Sequence, residues 1–313
     1  MRRLVSMLWF PFFFAAAFSV SGLLAFHHPA PHHVQIAVAE GPDSDTTRTT
    51  ITALEPRFGT DAFTLTPQAS AAEARAAVAE GRAAAAIDGD TVYVASAASP
   101  TRADFLTQIA PDLTPGNTRV VDLVPTAAGD ISGVSLFFYA LPLLLVGLIT
   151  SIVLLQLGPW RVRNKVITIA ATGAFASVFA YLVATTLDAI PADPRLVLYG
   201  FILTQAIGWL TTAAALSLRQ YFMPAAMTFV LILGIPTSGA TVNADMLPPA
   251  LHWLHSVLPL GQFIDTARAS AYLHTTSVTR PLLGLVVWAA TGAALLALAA
   301  RKARHTARAR TSS

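Results

Sequence analysis

The sequence predicts an α-helical polytopic membrane protein: six transmembrane helices, with a small extracytoplasmic α/β domain inserted between helices 1 and 2. Three observations lead to this fold class. The chain is 54% hydrophobic and 12% charged, a composition typical of membrane proteins. Its charges are divided unevenly between the connections, and a segment of mixed charge separates the first two apolar stretches. The six apolar stretches lie at 4–26, 134–157, 166–187, 196–218, 222–238 and 281–300.

Five of these stretches are long enough to cross a bilayer, because a hydrocarbon core of about 30 Å needs about 20 apolar residues. The stretch 222–238 is shorter and ends near Pro236, so it is the weakest of the six signals. Residues 1–26 form the first predicted transmembrane helix. Its apolar run exceeds the 7–15 residues usual for a signal peptide and no clear cleavage site follows, so we expect an uncleaved anchor.

The charged residues orient the predicted helices. If the N-terminus is cytoplasmic and each stretch crosses once, the inner segments hold eleven cations and no acidic residue, and the short outer loops hold three cations. An excess of Lys and Arg near helix ends marks the cytoplasmic side. We therefore expect a multi-pass plasma-membrane protein with both termini in the cytoplasm and a basic tail at 301–313. The inner cations are Arg2, Arg3, Arg161, Arg163, Lys165, Arg219, Arg301, Lys302, Arg304, Arg308 and Arg310.

The extracytoplasmic domain is predicted at 27–131. Alternating apolar residues, a Ser-Ala-Ala-Glu capping box at 70–73 and the hairpin signal Asp88-Gly89-Asp90 predict the order β-α-β-α-β-β-α-β. We expect this domain to fold by itself. A histidine-rich segment, HHPAPHH at 27–33, precedes it. Imidazoles bind Zn²⁺, but an exposed linker stiffened by proline is the simpler interpretation. The predicted strands lie at 33–40, 63–65, 83–87, 91–95 and 118–124, and the helices at 46–57, 70–80 and 100–109.

The predicted five-helix membrane domain, 132–300, has no ionisable residue in the middle of a stretch. Proton-driven carriers usually place such residues at membrane depth, so we do not expect one here. Small residues in 170–177 and 208–212 predict closely packed helices. Gln205 is the most polar side chain well inside a stretch. We expect it to form a hydrogen bond between helices, and a contact with a substrate path is the alternative.

Two connections of the membrane domain draw attention. The segment 158–165, GPWRVRNK, is short and basic. Its cations Arg161, Arg163 and Lys165 either set the topology or dock a cytoplasmic partner. Residues 247–273 read as two short amphipathic helices broken at 259–261, which we expect to lie in or dip into the outer interface, with Trp253 and Tyr272 at headgroup level.

Paired polar residues line this outer segment. His252 and His255 are three positions apart, as are Asp265 and Arg268, so each pair could share a helix face. A metal site needs more ligands than two histidines. We therefore expect an interfacial polar face for the first pair and a surface ion pair for the second.

Several stretches resemble the ABC-2-type transporter permeases of the YhgE/Pip-like branch. One leading helix, an outer domain and five further helices is their layout. The similarity is carried by VQIAVAEGPD after the first stretch, by AAEARAAVAEGRAAAAIDGD in the outer domain, by VVDLVPTAAGDISGVSLFF before the second stretch and, most specifically, by the segment from GIPTSGATVNADMLPP to TARASAYL. The chain departs from the pattern in having Ala240 where the family has a second glycine, and in its compact outer domain.

The resemblance implies a permease subunit of an exporter that moves a hydrophobic or envelope-related substrate, as a homodimer or as a heterodimer with a second permease. It also implies a separate ATPase, since neither lysine of this chain lies in a phosphate-binding loop. Pro259, Gly261, Asp265 and Arg268 would then form an outer gate. The alternative is a non-transporting scaffold whose outer domain binds envelope or secretion partners. We expect no catalytic residue, cofactor, metal ion or nucleic-acid partner.

Overall fold

The structure is a computed structural model that describes residues 2–27, 29–41, 44–114, 117–156, 161–273 and 278–311. Most of this chain is helical, with one small sheet. Five helices are long and apolar enough to cross a membrane by length and composition, which agrees with a multi-pass membrane protein. They are α1 (Arg2–Phe26), α6 (Ser135–Gln156), α7 (Val162–Thr186), α8 (Arg195–Leu218) and α12 (Thr279–Thr311).

Side-chain contacts fix the relative directions of the central helices. The hydroxyl of Tyr139, early in α6, donates to the carbonyl of Leu196, early in α8, at 3.0 Å. Later in both helices, Ser151 donates to the carbonyl of Gly208 at 2.9 Å. The two helices are therefore parallel. The amide of Gly129, just before α6, donates to the carbonyl of Asp188, just after α7, so α7 runs antiparallel between them.

The helix α8 lies at the centre of the bundle and packs against α6, α7 and α12. Small residues allow this close approach. A Cβ atom added to Gly208 would lie 2.5 Å from Cγ2 of Ile169, and one added to Gly147 would lie 3.0 Å from the carbonyl oxygen of Thr204. The hydroxyl of Ser151 in α6 then bonds to the hydroxyls of Thr211 and Thr212 in α8.

The apolar stretch predicted at 222–238 forms a shorter helix. It consists of α9 (Phe222–Met227), which continues as a π-helix over Thr228–Gly234. At 1.5 Å per residue these positions span at most about 20 Å, less than the hydrocarbon core. The helix packs against α1 and α8, and Phe229 packs on Trp288 of α12 with ring centroids 5.4 Å apart. It is therefore an integral part of the bundle.

The outer domain contains a five-stranded sheet with strand order β2-β1-β3-β4-β5. The pair β3/β4 is antiparallel and the other pairs are parallel. The predicted helix at 46–57 is wrong as one element: it divides before Glu55-Pro56, since Pro56 lacks the amide that would continue the first helix. The elements are β1 (Val34–Ala39), α2 (Ser44–Thr52), α3 (Glu55–Phe58), β2 (Phe63–Gln68), α4 (Ala71–Ala79), β3 (Ala85–Asp88), β4 (Thr91–Val94), α5 (Pro100–Leu113) and β5 (Arg119–Asp122).

The core of this outer domain does not end at the domain boundary predicted from the sequence. Leu106 and Ile109 of α5 belong to one buried cluster that also contains Met246, Leu247 and Leu251 from the distant outer loop. Ala25, near the end of α1, lies in the same cluster. A fragment limited to 33–125 would expose these apolar faces to water. The sequence-based expectation that the domain folds by itself therefore overlooks a shared core.

Close packing around α8 makes a prediction about stability. Replacing Gly208→Leu should destabilise the bundle by roughly 1–3 kcal/mol, because the added atoms collide with Ile169. Thermal unfolding of the purified chain in detergent measures this. The matched control is Gly22→Leu, since Gly22 also lies in an apolar helix but has nothing within 4 Å of its added Cβ. Equal midpoints for the two variants would contradict close packing at Gly208.

Candidate functional site

The least regular part of the membrane half is a short segment after the π-helix, residues 236–240, which we call the buried loop. All five residues are buried, although none is in a helix or strand. Irregular backbone is tolerated at membrane depth only where protein covers it and supplies hydrogen-bond partners. The carbonyl groups of this loop therefore need partners from neighbouring elements.

Two short helices surround the buried loop: α10 (Pro249–Val257) and α11 (Pro259–Arg268). Each begins with proline in its first turn, where no amide is needed. The break between them lies at Leu258, in an extended conformation, one residue before the break predicted from the sequence. A residue that precedes proline favours this conformation. Pro259 and Gly261 therefore belong to the first turn of α11.

The helix α11 is buried on nearly all sides and packs against α6, α8 and α12. That this segment lies in or dips into the outer interface therefore stays a prediction, and the burial of α11 shows only that protein covers it. Tyr272, expected at headgroup level, is also buried. Trp253 of α10 is 63% exposed, as a residue at headgroup level would be.

His255 joins the buried loop to α11. Its Nδ1 lies 3.0 Å from the carbonyl oxygen of Thr237, and its Nε2 lies 2.9 Å from Oδ2 of Asp265. A carbonyl and a carboxylate only accept hydrogen bonds, so both contacts are satisfied when both ring nitrogens carry protons. Burial lowers the pKa of His255, but Asp265 and the Thr237 carbonyl outweigh it and hold this pKa above its ordinary value. The ring thus favours its charged form.

Arg268 satisfies two further carbonyls of the buried loop. Its Nη2 donates to the carbonyls of Gly239 and Ala240, at 3.1 and 3.4 Å, and its Nη1 donates to Oδ1 of Asn243 at 3.2 Å. The surface ion pair expected between Asp265 and Arg268 is therefore replaced by two separate bonds. Asp265 binds His255, and Arg268 binds neutral oxygens.

Two glycines let His255 come this close. Gly239 has a φ of +71°, and a Cβ there would lie 2.6 Å from Cε1 of His255. A Cβ on Gly261 would collide with the backbone carbonyl of His255 and would lie 2.9 Å from its Nδ1. The helices α10 and α11 can therefore fold against each other in this way only with glycine at 261.

The outer domain is bound to the segment that directly follows the buried loop, residues 241–245. Arg102 of α5 forms an ion pair of 2.5 Å with Asp245, and Thr101 donates to the carbonyl of Thr241 at 2.7 Å. The amide of His32, just before β1, donates to the carbonyl of Asp245 at 2.8 Å. A displacement of this segment would therefore disturb its contacts with the outer domain.

A cavity of about 870 Å³ opens beside this assembly, between the outer domain, α10, α11 and the start of α12. Its lining includes the charged residues Glu80, Arg102, Asp265, Arg268 and Arg280. His255 lines it too. The proton shared by His255 and Asp265 is therefore next to a space that water can fill.

The remaining predicted site residues lie elsewhere. Gln205 is buried in α8, and its Nε2 donates to the carbonyl of Ile169 in α7 at 3.3 Å, which is a hydrogen bond between helices. Of the basic segment, 158–160 lie outside the described residues. Arg161 and Arg163 are exposed, whereas Lys165 is buried. The exposed cations of the described part of this segment are thus the two arginines.

The structure separates the two histidines that were expected to share one polar face of a helix. His252 is exposed, and its Nδ1 lies 2.8 Å from the carbonyl oxygen of Ala244, while His255 is buried. His28 lies outside the described residues, and His32 is 3.7 Å from Asp61. Within the described chain, no group of three or more His, Asp or Glu is placed to hold a metal ion. Sequence reasoning missed the roles of Arg102 and Asn243 because their partners are remote in sequence.

Comparisons of the chain with protein families, with curated proteins and with solved structures find no match.

The His255 pair makes a pH-dependent prediction. His255→Asn should lower the free energy of unfolding by roughly 1–3 kcal/mol at about pH 6. A raised folded-state pKa gives stability that is present in full below the ordinary histidine value and is lost as pH rises through the raised value. The difference in thermal midpoint between parent and variant should therefore shrink as the pH is raised above neutrality.

The control for this measurement is His252→Asn, because His252 is exposed and close in sequence. Its midpoint difference from the parent should be small. A His255→Asn difference that stays constant or grows with pH would contradict a charged His255 in the folded protein.

Proposed function

We propose that this chain is the permease subunit of an ABC-2-like exporter, with α10 and α11 at the outer end of the transport path. The observation that carries the proposal is the buried loop with its two surrounding helices. A pair of short helices enters the bundle from the outer side and returns, and α11 packs against α6, α8 and α12. Pro259, Gly261, Asp265 and Arg268 all belong to this pair.

In this proposal the pair acts as an outer gate. Its position is held by bonds that a modest movement would break, at His255 and at Arg268. The gate is also connected to the outer domain through Arg102 and Asp245. The substrate is hydrophobic or envelope-related, and the path lies between this subunit and a second permease, identical or related. Gln205 would line that path only after the helices α7 and α8 separate.

The proposal includes six crossings of the plasma membrane with both termini in the cytoplasm. The crossing that this proposal adds to the five long helices is the short helix over Phe222–Gly234. Its limited length is compatible with a crossing because the buried loop continues the chain inside the protein, where lipid does not reach it. The one-sided distribution of cations supports this orientation.

Cysteine labelling tests the short crossing directly, because the chain has no cysteine of its own. Gln220 and Ser256 are both exposed and lie on either side of the short helix. In intact cells an impermeant thiol reagent should label Ser256→Cys. Gln220→Cys should react only after permeabilisation, because it lies in the cytoplasm. Labelling of both variants from outside, or of neither, would show that the short helix does not cross.

Energy in this proposal comes from a separate cytoplasmic ATPase. Arg161 and Arg163 are exposed at the start of α7, on the side that the charge distribution assigns to the cytoplasm. Cations on a short connection between two packed helices would transmit a movement of the ATPase to α6 and α7. Lys165 is buried and would support the fold of this connection.

Co-purification tests the ATPase. The tagged full-length chain, isolated from its native membrane, should carry ATP hydrolysis that a mock purification lacks. Arg161→Ala with Arg163→Ala should remove most of this activity, because the docking charges are lost. The control pair Arg48→Ala and Arg119→Ala removes the same charge from the outer domain and should leave the activity unchanged. Absence of ATP hydrolysis from the parent preparation would favour the scaffold alternative.

A further inference from the structure

The lining of the cavity beside the buried loop carries more basic than acidic side chains. Its lining holds three arginines, Arg102, Arg268 and Arg280, and two carboxylates, Glu80 and Asp265. Both carboxylates already have cationic partners: Glu80 accepts from Arg82 at 2.8 Å, and Asp265 binds His255. The lining therefore has more positive charge than its own acids balance.

Two of the arginines have no acidic partner in the described part of the chain. Arg102 is paired with Asp245. Arg268 donates only to neutral oxygens. Arg280, in the first turn of α12, is exposed. It forms no ion pair with any residue that the structure describes. A cavity with two unbalanced guanidinium groups favours an anion, which arginine binds through directed hydrogen bonds.

The same cavity becomes apolar along α12. Arg280, Gly284, Val287, Trp288 and Thr291 all line it, and their spacing places them on one face of the helix. This face extends about 16 Å from the outer end of α12 towards the middle of the membrane, at 1.5 Å per residue. Val287 is 61% exposed, so an occupant of the groove can reach it.

Specific contacts keep this groove open. The indole nitrogen of Trp288 donates to the carbonyl of Val257 at 2.6 Å, which fixes the ring against α10. Gly284 contributes no side chain, and a Cβ there would collide with the amide of Gln262. Gln262 in turn donates to the carbonyl of Ser256 at 2.5 Å. The groove is thus a formed surface between α10, α11 and α12.

We propose that this cavity binds an amphiphile with an anionic head and an acyl tail, in the chemical class of an anionic phospholipid. The head lies between Arg280 and Arg268, and the tail follows α12 past Val287 and Trp288. The charge of the lining selects an anion, and the apolar face that continues from it into the bilayer selects a tail. This inference is independent of the ATPase and of transport, because it needs only the folded chain in a membrane.

Fluorescence quenching by brominated lipid tests the proposal in the full-length chain. Trp288 is kept and the other four tryptophans, Trp9, Trp160, Trp209 and Trp253, are replaced by Phe. The protein is placed in phosphatidylcholine vesicles with a minor fraction of phosphatidylglycerol. Bromine is put either on the phosphatidylglycerol tails or on an equal amount of phosphatidylcholine. Quenching of Trp288 should show roughly fivefold enrichment of phosphatidylglycerol, the factor that one basic residue gives near anionic lipid.

Variants of α12 separate the head contact from general attraction. Arg280→Ala should bring the enrichment close to one, and Arg280→Lys, which keeps the charge, should retain most of it. Arg301→Ala is the matched control, since Arg301 is exposed on the same helix but lies far from Trp288. It should leave the enrichment unchanged. Equal quenching by both lipids in the parent, or enrichment that survives Arg280→Ala, would overturn the proposal.

A soluble anion separates the two sources of the head group. Inorganic phosphate added to the vesicles at constant ionic strength should not reduce the enrichment, because it lacks the tail that holds the lipid in the groove. If phosphate removes the enrichment as effectively as Arg280→Ala does, the cavity is a free-anion site and the amphiphile proposal fails.

Discussion

The hydrogen bonds that satisfy the buried loop at 236–240 are the constraint on which the outer half of the structure depends. A carbonyl left without a partner in a dry environment costs free energy comparable to a lost hydrogen bond. Within the loop, Ser238 accepts a hydrogen bond from the amide of Ala240, but the carbonyls of Thr237, Gly239 and Ala240 have partners from outside it. His255 and Arg268 provide them, at Thr237 and at Gly239 and Ala240. The need to bring these two side chains to one place explains why α10 and α11 fold back on each other at Leu258.

Most of the coarse fold could be predicted from the sequence, because it is written in local patterns. The long apolar stretches, the alternation in β1 and the capping box before α4 each depend on a few adjacent residues. The same reasoning failed where partners are remote. The pairing of His255 with Asp265 depends on the fold between α10 and α11. The pairing of Arg102 with Asp245 joins residues that are 143 positions apart in the chain. Helical spacing alone therefore pointed to the wrong partners for Asp265 and Arg268.

The short helix over Phe222–Gly234 and the buried loop that follows it are structurally related. This helix is followed by irregular backbone that is buried in the bundle, so the next residues need cover. The cover comes from α11, which is buried on nearly all sides, although its sequence reads as amphipathic. Its polar residues point to the loop and to the cavity, where an interfacial helix would point them to water. Burial of a polar helix face by protein and its exposure at an interface produce the same sequence pattern, so the sequence alone does not separate the two.

The outer domain is joined to the membrane helices by a shared core. The core of the domain includes Met246 and Leu247 of the outer loop and Ala25 at the end of α1. The charged pair of Arg102 and Asp245 and the buried Arg268 lie beside this core. Packed interiors shift between discrete arrangements and do not deform continuously. A change that breaks the bonds of the buried loop would therefore alter how the outer domain packs on the membrane helices. Loss of the proton from His255 or occupation of the cavity by an anion would each act on these bonds. The cavity, the loop and the domain are therefore connected through neighbouring contacts.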